Sequence, residues 1–514
     1  MIRLVEASVR FGQAVAVDRF TGSFPSGRIT ALVGGDGGGK SSLLRGLAGL
    51  APLSPPPRPP VAVGREVGYQ GVDQGVWLDL SVQENVEFVS RVYGLSGPRE
   101  RARADDLLDR AGLTAARDRV ARRLSGGMRH KLGFVLATLH RPSLVLLDEP
   151  TTGIDPVSRD DLWALIAGAA AEGATIVLAT TYLDEAERAG QVFLLDAGRV
   201  LAAGTPAEVV AQMPGSLWRN AAGGARPEAV SGAAAPAPWT WRRGRTTYLW
   251  TPERAFAGSP GLAPATPDLE NASVALLLAS ERALGRAEPV LANSPNGIGG
   301  GAGGKQTPSQ ADPLVLAERV TRTYGAVMAL ADVSLRVERG QIVGLVGGNG
   351  AGKTTLMRII LGTLAPTGGA CALFGATPSL ETRRRVGYVA QGLGLYPSLS
   401  VIDNFRFAAR VHGVPVGSAA ADFATGLGAT PVGKLPLGAR RLAAYVAASQ
   451  HDPDLLILDE PSSGMDPLSR ARLWKELRAQ AERGVGVLVT THYLQEAAQC
   501  DRVVMLEAGR VVAT

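Results

Sequence analysis

The chain repeats itself on the scale of a whole domain. VGLVGGNGAGKTTLMRIILGTLAP at 343–366 echoes TALVGGDGGGKSSLLRGLAGLAP at 30–52, and LLILDEPSSGMDPLSR at 455–470 echoes LVLLDEPTTGIDPVSR at 144–159. Lys40 and Lys353 lie 313 residues apart, and Asp148 and Asp459 lie 311 apart. Within each copy the lysine-to-aspartate spacing is 108 and 106 residues. A period that long means two copies of one domain, not a solenoid of small units. The chain's 514 residues give each copy enough length for its own core.

Between the copies the composition shifts. The repeat divides the chain into a first domain over 1–212, a middle region over 213–312 and a second domain over 313–514. The middle region is rich in Gly, Ala and Pro and ends in NSPNGIGGGAGGKQTPSQ at 293–310, which reads as a linker. Within it, WTWRRGRTTYLW at 239–250 alternates like a hairpin, and DLENASVALLLASERALGR at 268–286 reads as a short amphipathic helix. In each copy a strand, a glycine loop, a helix, an Ala/Arg-rich helical stretch and an apolar strand follow in order. That alternation predicts an α/β fold with a mostly parallel sheet.

Other features limit the function classes. The hydrophobic share of 46% and charged share of 19% exclude wholesale disorder, and a net charge of +6 is mild for this length. Only Cys371 and Cys500 occur, which excludes a disulfide framework or zinc modules and suits a reducing cytosol. Both read as buried small residues. The start, MIRLVEASVRFG, has no apolar signal region, and no apolar run approaches the length of about 18 residues that a spanning helix needs. Any membrane role is expected to pass through a partner.

Gly34 to Ser41 and Gly347 to Thr354 both fit G-x-x-x-x-G-K-[ST], each between an apolar strand and an apolar helix. Gly39 and Gly352, with Gly34, Gly347 and Gly350, let backbone N–H groups turn inward around phosphate oxygens. The helix N-terminus adds partial positive charge there. Lys40 and Lys353 are the candidate β/γ-phosphate contacts, and Ser42 and Thr355 extend the cradle into the helix. Ser41 and Thr354 are candidate Mg²⁺ ligands with Asp148 and Asp459, each of which ends an apolar strand. Glu149 and Glu460 follow at once, placed to polarise an attacking water.

LSGGM at 124–128 precedes Asp148 by a short fixed distance. Phosphate loop, LSGGM, LLDEP and GID together resemble the ATP-binding cassette family, over all but the middle hundred residues. The resemblance implies two P-loop NTPase domains, each with a sheet core and a helical subdomain, paired head-to-tail within the chain. It implies ATP and Mg²⁺ as cofactors, each ATP held between one copy's phosphate loop and the other's signature. Ser125, Gly126 and Gly127 then serve the second loop, where Asn349 lies. It also implies that Phe11 and Tyr324 stack on adenine, that Gln391 is the lid glutamine near metal and water, and that His492 is the switch histidine.

The two sites read as unequal. The second signature is LPLGA at 435–439: Pro436 loses a hydroxyl and an N–H, and Leu437 adds bulk where backbone must approach phosphate. The first copy has Val72 at the register of Gln391, with Gln70 and Gln74 flanking it, and Thr181 at the register of His492. Asp36 stands where Asn349 does. All these departures fall on the site built from Lys40, so the site built from Lys353 is the expected hydrolytic one. His130, His140, His412 and His451 show no ligand spacing and read as surface residues.

The segments DLSVQENVEF at 79–88 and SLSVIDNFRF at 398–407 resemble those of export ATPases, and the tandem group that includes the ribosome-associated ATPase shares the proline-leucine-glycine signature. The implied function is the ATP-hydrolysing motor of a membrane exporter, cytoplasmic and peripheral on the inner face of the membrane. The chain ends at GRVVAT, so the permease is expected on a separate chain or in a missing C-terminal half. The alternative is a soluble ribosome-associated tandem ATPase acting in translation, with WTWRRGRTTYLW as an RNA contact. No DNA partner is expected.

Overall fold

The computed structural model describes residues 1–35, 37–61, 64–220, 239–252, 261–285, 312–491 and 493–514. Asp36, His492 and the linker tail at 293–310 lie outside the described residues.

Each repeat folds around a six-stranded sheet. In the first, the strand order is Val67–Gln70, Leu144–Asp148, Thr175–Thr180, Ile29–Gly34, Gln191–Asp196 and Arg199–Gly204. The first five run parallel and the last pairs antiparallel. The second repeats that order with Val386–Val389, Leu455–Asp459, Gly486–Thr491, Ile342–Val346, Arg502–Glu507 and Arg510–Ala513. Leu144–Asp148 and Leu455–Asp459 are buried at every position, as strands covered on both faces must be. Burial of each strand delivers its terminal aspartate to the sheet's C-terminal edge, where ligands of open α/β sheets bind.

A three-stranded antiparallel sheet lies beside each core: Ala14–Phe24, Ile2–Phe11 and Leu53–Ser54 in the first, Val327–Val337, Val315–Tyr324 and Gly368–Leu373 in the second. Helices Val82–Tyr93, Pro98–Arg110 and Gly126–Thr138 form the first helical subdomain, and Val401–His412, Ser418–Leu427 and Leu437–Ser449 the second. Their ends follow local chemistry. Ser81 caps the helix at 82 in a capping box with Glu84, Ser400 caps its counterpart, and Gly94 and Gly413 end the two in left-handed geometry.

The middle region forms a four-stranded sheet in the order Trp239–Arg243, Thr246–Thr251, Ser216–Asn220 and Leu262–Pro264, with helix Leu269–Ala283 against it. The helix is buried nearly all round, not amphipathic, because it lies between the two repeats. Leu269 joins the first repeat's core beside Leu183 and Val209, while Leu277 and Leu278 pack with Leu468 and Ala471 of the second. Ser280 donates to Asp196 at 2.9 Å, and Arg472 forms a two-pronged ion pair with Glu281. Trp239, Trp241 and Trp250 are buried in this bridge, so their faces are closed to stacked bases.

The histidines depart from expectation. His130 is buried, His140 stacks on Tyr93 at 3.9 Å between ring centroids, and His412 stacks on His451 at 3.6 Å. His130 lies within helix Gly126–Thr138 and His412 ends helix Val401–His412, while His140 and His451 lie half-buried in turns that follow helices. Cys371 and Cys500 are half-buried rather than fully buried.

Candidate functional site

Both phosphate loops are preformed. Gly39 and Gly352 cap the helices Lys40–Leu47 and Lys353–Ile360 with φ of 95° and 103°. A Cβ there would lie 2.5 Å from the Ala16 carbonyl oxygen and 2.6 Å from that of Ala329, so only glycine fits. Lys40 Nζ donates to the carbonyls of Gly34 (2.8 Å) and Gly35 (3.0 Å), and Lys353 Nζ to Gly347 (2.7 Å) and Gly348 (3.1 Å). Each ammonium is thus folded back over its own loop. Burial lowers the pKa of Lys353, opposed by the nearby charges of Glu460 and Asp459.

Ser41 Oγ donates to Asp148 Oδ1 at 2.8 Å, and Thr354 Oγ1 to Asp459 Oδ2 at 3.4 Å. Burial raises the pKa of both aspartates. Asp148 Oδ2 is buried with no hydrogen-bond partner. A hydroxyl beside a carboxylate with an orphaned oxygen is a donor set suited to a hard, oxygen-seeking cation such as Mg²⁺.

Glu149 and Glu460 both hold left-handed backbone, with φ of 49° and 50°. Neighbouring strands fix that geometry, which otherwise costs about 1–3 kcal/mol. Glu149 N–H donates to the Ala179 carbonyl (2.9 Å), and Glu460 N–H to Thr490 Oγ1 (2.9 Å). The side chains then differ. Glu149 Oε2 accepts from Thr152 (2.8 Å) and Thr181 (3.4 Å), and burial pushes its carboxyl up to about 7. Glu460 accepts from Gln391 Nε2 at 3.4 Å and lies 3.9 Å from Lys353 Nζ.

The phosphate loops face each other's cassettes. A Cβ at Gly37 would lie 3.5 Å from the Pro436 ring, and one at Gly35 would lie 3.8 Å from Asp466. On the other side, a Cβ at Gly126 would lie 3.5 Å from Asn349 Nδ2, and one at Gly348 would lie 3.5 Å from Asp155. The loop at Lys40 therefore meets LPLGA, and the loop at Lys353 meets LSGGM. Ser125 caps helix Gly126–Thr138 by accepting from Met128 N–H, whereas Pro436 gives helix Leu437–Ser449 no side-chain cap.

The lid positions diverge as well. Val72 is exposed. Gln70 does not turn to the metal position: its Nε2 donates to the His130 carbonyl at 3.1 Å, and the Gln74 amide meets His130 Nε2 at 3.1 Å. Phe11 and Tyr324 stand exposed at the ends of their strands, Tyr324 under the Arg322 guanidinium. Ser42 and Thr355 lie half-buried in the first turns of their helices.

Several contacts escape a reading of the sequence. Asp155 and Asp466 cap helices Pro156–Ala171 and Pro467–Glu482 while facing the opposite phosphate loops. Arg441 donates to the Glu460 carbonyl at 2.7 Å. Tyr182 and Tyr493 stack across the interface. The available signal is that Asp155/Asp466 and Tyr182/Tyr493 recur at the repeat spacing.

Comparisons with known proteins bear on the family and the fold. The family model for "ABC transporter" matches residues 17–152 and 330–463. The chain is 32% identical to the "Probable multidrug ABC transporter ATP-binding protein YbhF" of Escherichia coli, over 95% of this chain and 88% of that one. It is 37% identical over 207 residues to the "Nod factor export ATP-binding protein I" of Cupriavidus pinatubonensis, covering 38% of this chain and 64% of the relative. Among solved structures, an archaeal ribosome recycling factor in complex with a ribosomal stalk protein superposes with a TM-score of 0.60. It covers 98% of this chain and 88% of that one at 18% identity, a likeness of fold alone.

Proposed function

This chain belongs to the ABC transporter family and is a tandem-cassette ATPase that binds ATP, and from that premise we propose that it is the motor subunit of a membrane exporter with one hydrolytic and one weakened ATP site.

The observation that carries the transport reading is a pair of exposed aromatic patches. Trp77 and Phe88 pack at 4.4 Å between centroids beside the first lid segment, and Tyr396 and Phe407 at 5.0 Å beside the second. All four rings are 42–49% exposed. Large apolar residues left open in the same place on both cassettes suit docking to a partner with matching twofold sites. Among the described residues no helix is long and apolar enough to cross a membrane. A permease subunit on the cytoplasmic face of the membrane is the partner this surface suits. The names of the relatives, multidrug transport and Nod factor export, favour outward transport.

In this reading Lys353, Thr354, Thr355, Asn349 and the loop glycines hold ATP against Ser125, Gly126 and Gly127. Asp459, Thr354 and Gln391 hold Mg²⁺ at that site, and Asp148 with Ser41 at the other. Mg²⁺, when bound, neutralises charge on the transferring phosphoryl group. Glu460 accepts a proton from water as its oxygen bonds to the γ-phosphorus and the bond to the β–γ bridging oxygen breaks, releasing ADP. His492 is assigned the γ-phosphate contact. Glu149 is the less available base, its carboxylate oxygen already engaged by two threonines and with no lid glutamine on it.

The test is to trap the closed state with Glu460→Gln and ATP and identify what co-purifies from detergent-solubilised cells. A stoichiometric polytopic membrane protein is expected. Ribosomal particles without one would overturn the reading in favour of the translation role, which rests on likeness of fold.

A further inference from the structure

We propose that Tyr182 and Tyr493 are a positioning pair that couples the two ATP sites, so that turnover at Glu460 responds to nucleotide at Lys40. The inference rests on the composite sites described above and adds the element that joins them.

The two rings stack across the cassette interface, 4.7 Å between centroids and 21° from parallel. They are repeat equivalents, 311 residues apart, so they meet where the pseudo-twofold axis passes between the cassettes. Both are buried. Tyr182 is one residue from the chemistry: it follows Thr181, which donates to Glu149, and Tyr493 is its repeat equivalent.

The backbone ties leave little slack. Tyr182 N–H donates to Thr180 Oγ1 at 3.0 Å, and Tyr493 N–H donates to Thr491 Oγ1 at 2.9 Å. Thr180 and Thr491 in turn donate to Glu185 and Glu496, each at 2.7 Å. A shift of either strand end therefore moves its tyrosine, and close packing passes that movement to the partner ring.

The pair is also held unequally. Arg159 of the first cassette donates to Tyr493 Oη at 2.8 Å and pairs with Asp184 at 2.9 Å, with its guanidinium 5.2 Å above the Tyr493 ring. Its repeat equivalent Arg470 bonds the Met465 carbonyl and pairs with Glu496 while its guanidinium lies 5.8 Å from the centre of the same Tyr493 ring. Tyr493 is thus held from both cassettes, by a hydrogen bond from Arg159 of the first and over its face by Arg470 of its own. The Arg159 hydrogen bond reaches across from the first cassette, which suits a signal from the weakened site to the hydrolytic one.

The experiment measures ATPase kcat and ATP-binding stoichiometry in the full chain, with and without Lys40→Ala, in the native background and in Tyr493→Leu. In the native background Lys40→Ala is expected to lower the stoichiometry from two to one and kcat about tenfold, within the range of inter-site couplings. In Tyr493→Leu the second effect shrinks below about twofold. Tyr493→Phe keeps the ring and most of the coupling. If Tyr493→Leu does not fold, Arg159→Gln serves, with the coupling reduced about threefold. Effects on kcat that multiply independently in the variants, at a stoichiometry of one, overturn the coupling and leave the site assignment standing. A stoichiometry of two in Lys40→Ala overturns the site assignment, and the coupling with it.

Discussion

Gln391 donates to Glu460 across 3.4 Å, and nothing at the same register of the first cassette reaches Glu149 in this way: Val72 is exposed there, and Gln70 is spent on the His130 carbonyl. A carboxylate that positions water needs to be aimed. Glu460 has a lid amide on it, while Glu149 is half-buried with Oε2 held by Thr152 and Thr181. Glu460→Gln is therefore expected to cut steady-state ATP turnover by ~100-fold or more, as loss of a general base does, and Glu149→Gln by under ~3-fold. Phosphate release at saturating ATP decides it. Equal losses would mean two equivalent sites.

The weakened site can be strengthened if its signature is the cause. Pro436→Ser with Leu437→Gly supplies a cap to the helix Leu437–Ser449, returns an N–H and removes a bulky side chain from the signature. A hydrogen bond returned to a phosphate oxygen is worth about 1 kcal/mol. Measured with Lys353→Ala, so that only the Lys40 loop fills, ATP affinity is expected to rise about fivefold, the factor that ~1 kcal/mol gives. Unchanged affinity would place the defect in Asp36 or the lid instead.

The fold was largely legible because its strongest signals are local. The loops around Lys40 and Lys353, and the Asp-Glu pairs after buried strands, are defined within a few residues of sequence. The hairpin at Trp239–Thr251 was equally plain from its alternation. What stayed hidden depends on packing between distant segments. Nothing near Tyr182 announces that it meets Tyr493, and DLENASVALLLASERALGR looked amphipathic because Asn271 and Ser273 are polar. Both are buried, Asn271 by accepting from the Trp241 indole at 3.2 Å. Gln70 and Gln74 could be placed near the lid from sequence, but not aimed at His130.

The bridge between the cassettes gives a third expectation. The Arg472 side chain is 8% exposed and that of Glu281 is 23% exposed, so the pair is largely desolvated. Glu281→Gln strands a buried guanidinium and is expected to destabilise the chain by ~3 kcal/mol, read as a fall in the urea midpoint. Replacing both residues by methionine is expected to cost under ~1 kcal/mol, because no charge is then left without its partner. If the double variant is as unstable as the single, the pair matters through shape and not charge.

Acid should loosen the chain through its enclosed histidines. Burial lowers His130 to about 4 and His451 to about 4, and also lowers His140 and His412. An unfolded histidine titrates near ~6.5. Between those values the unfolded chain binds protons that the folded chain excludes, so stability falls as pH drops from about 6.5 toward 4. Above about 6.5 both states are neutral at these groups and the contribution is complete. The His130 shift corresponds to about 3 kcal/mol at its limit, and the more open His451 contributes less after solvent screening. His130 sits in the helix Gly126–Thr138 that Ser125 caps, so its protonation acts on the helix that carries the signature of the hydrolytic site. His130→Gln keeps a neutral amide in its place and is expected to flatten the stability profile between pH 6.5 and 4, measured by urea unfolding at each pH. A profile as steep as that of the native chain would move the acid sensitivity to the stacked pair His412 and His451.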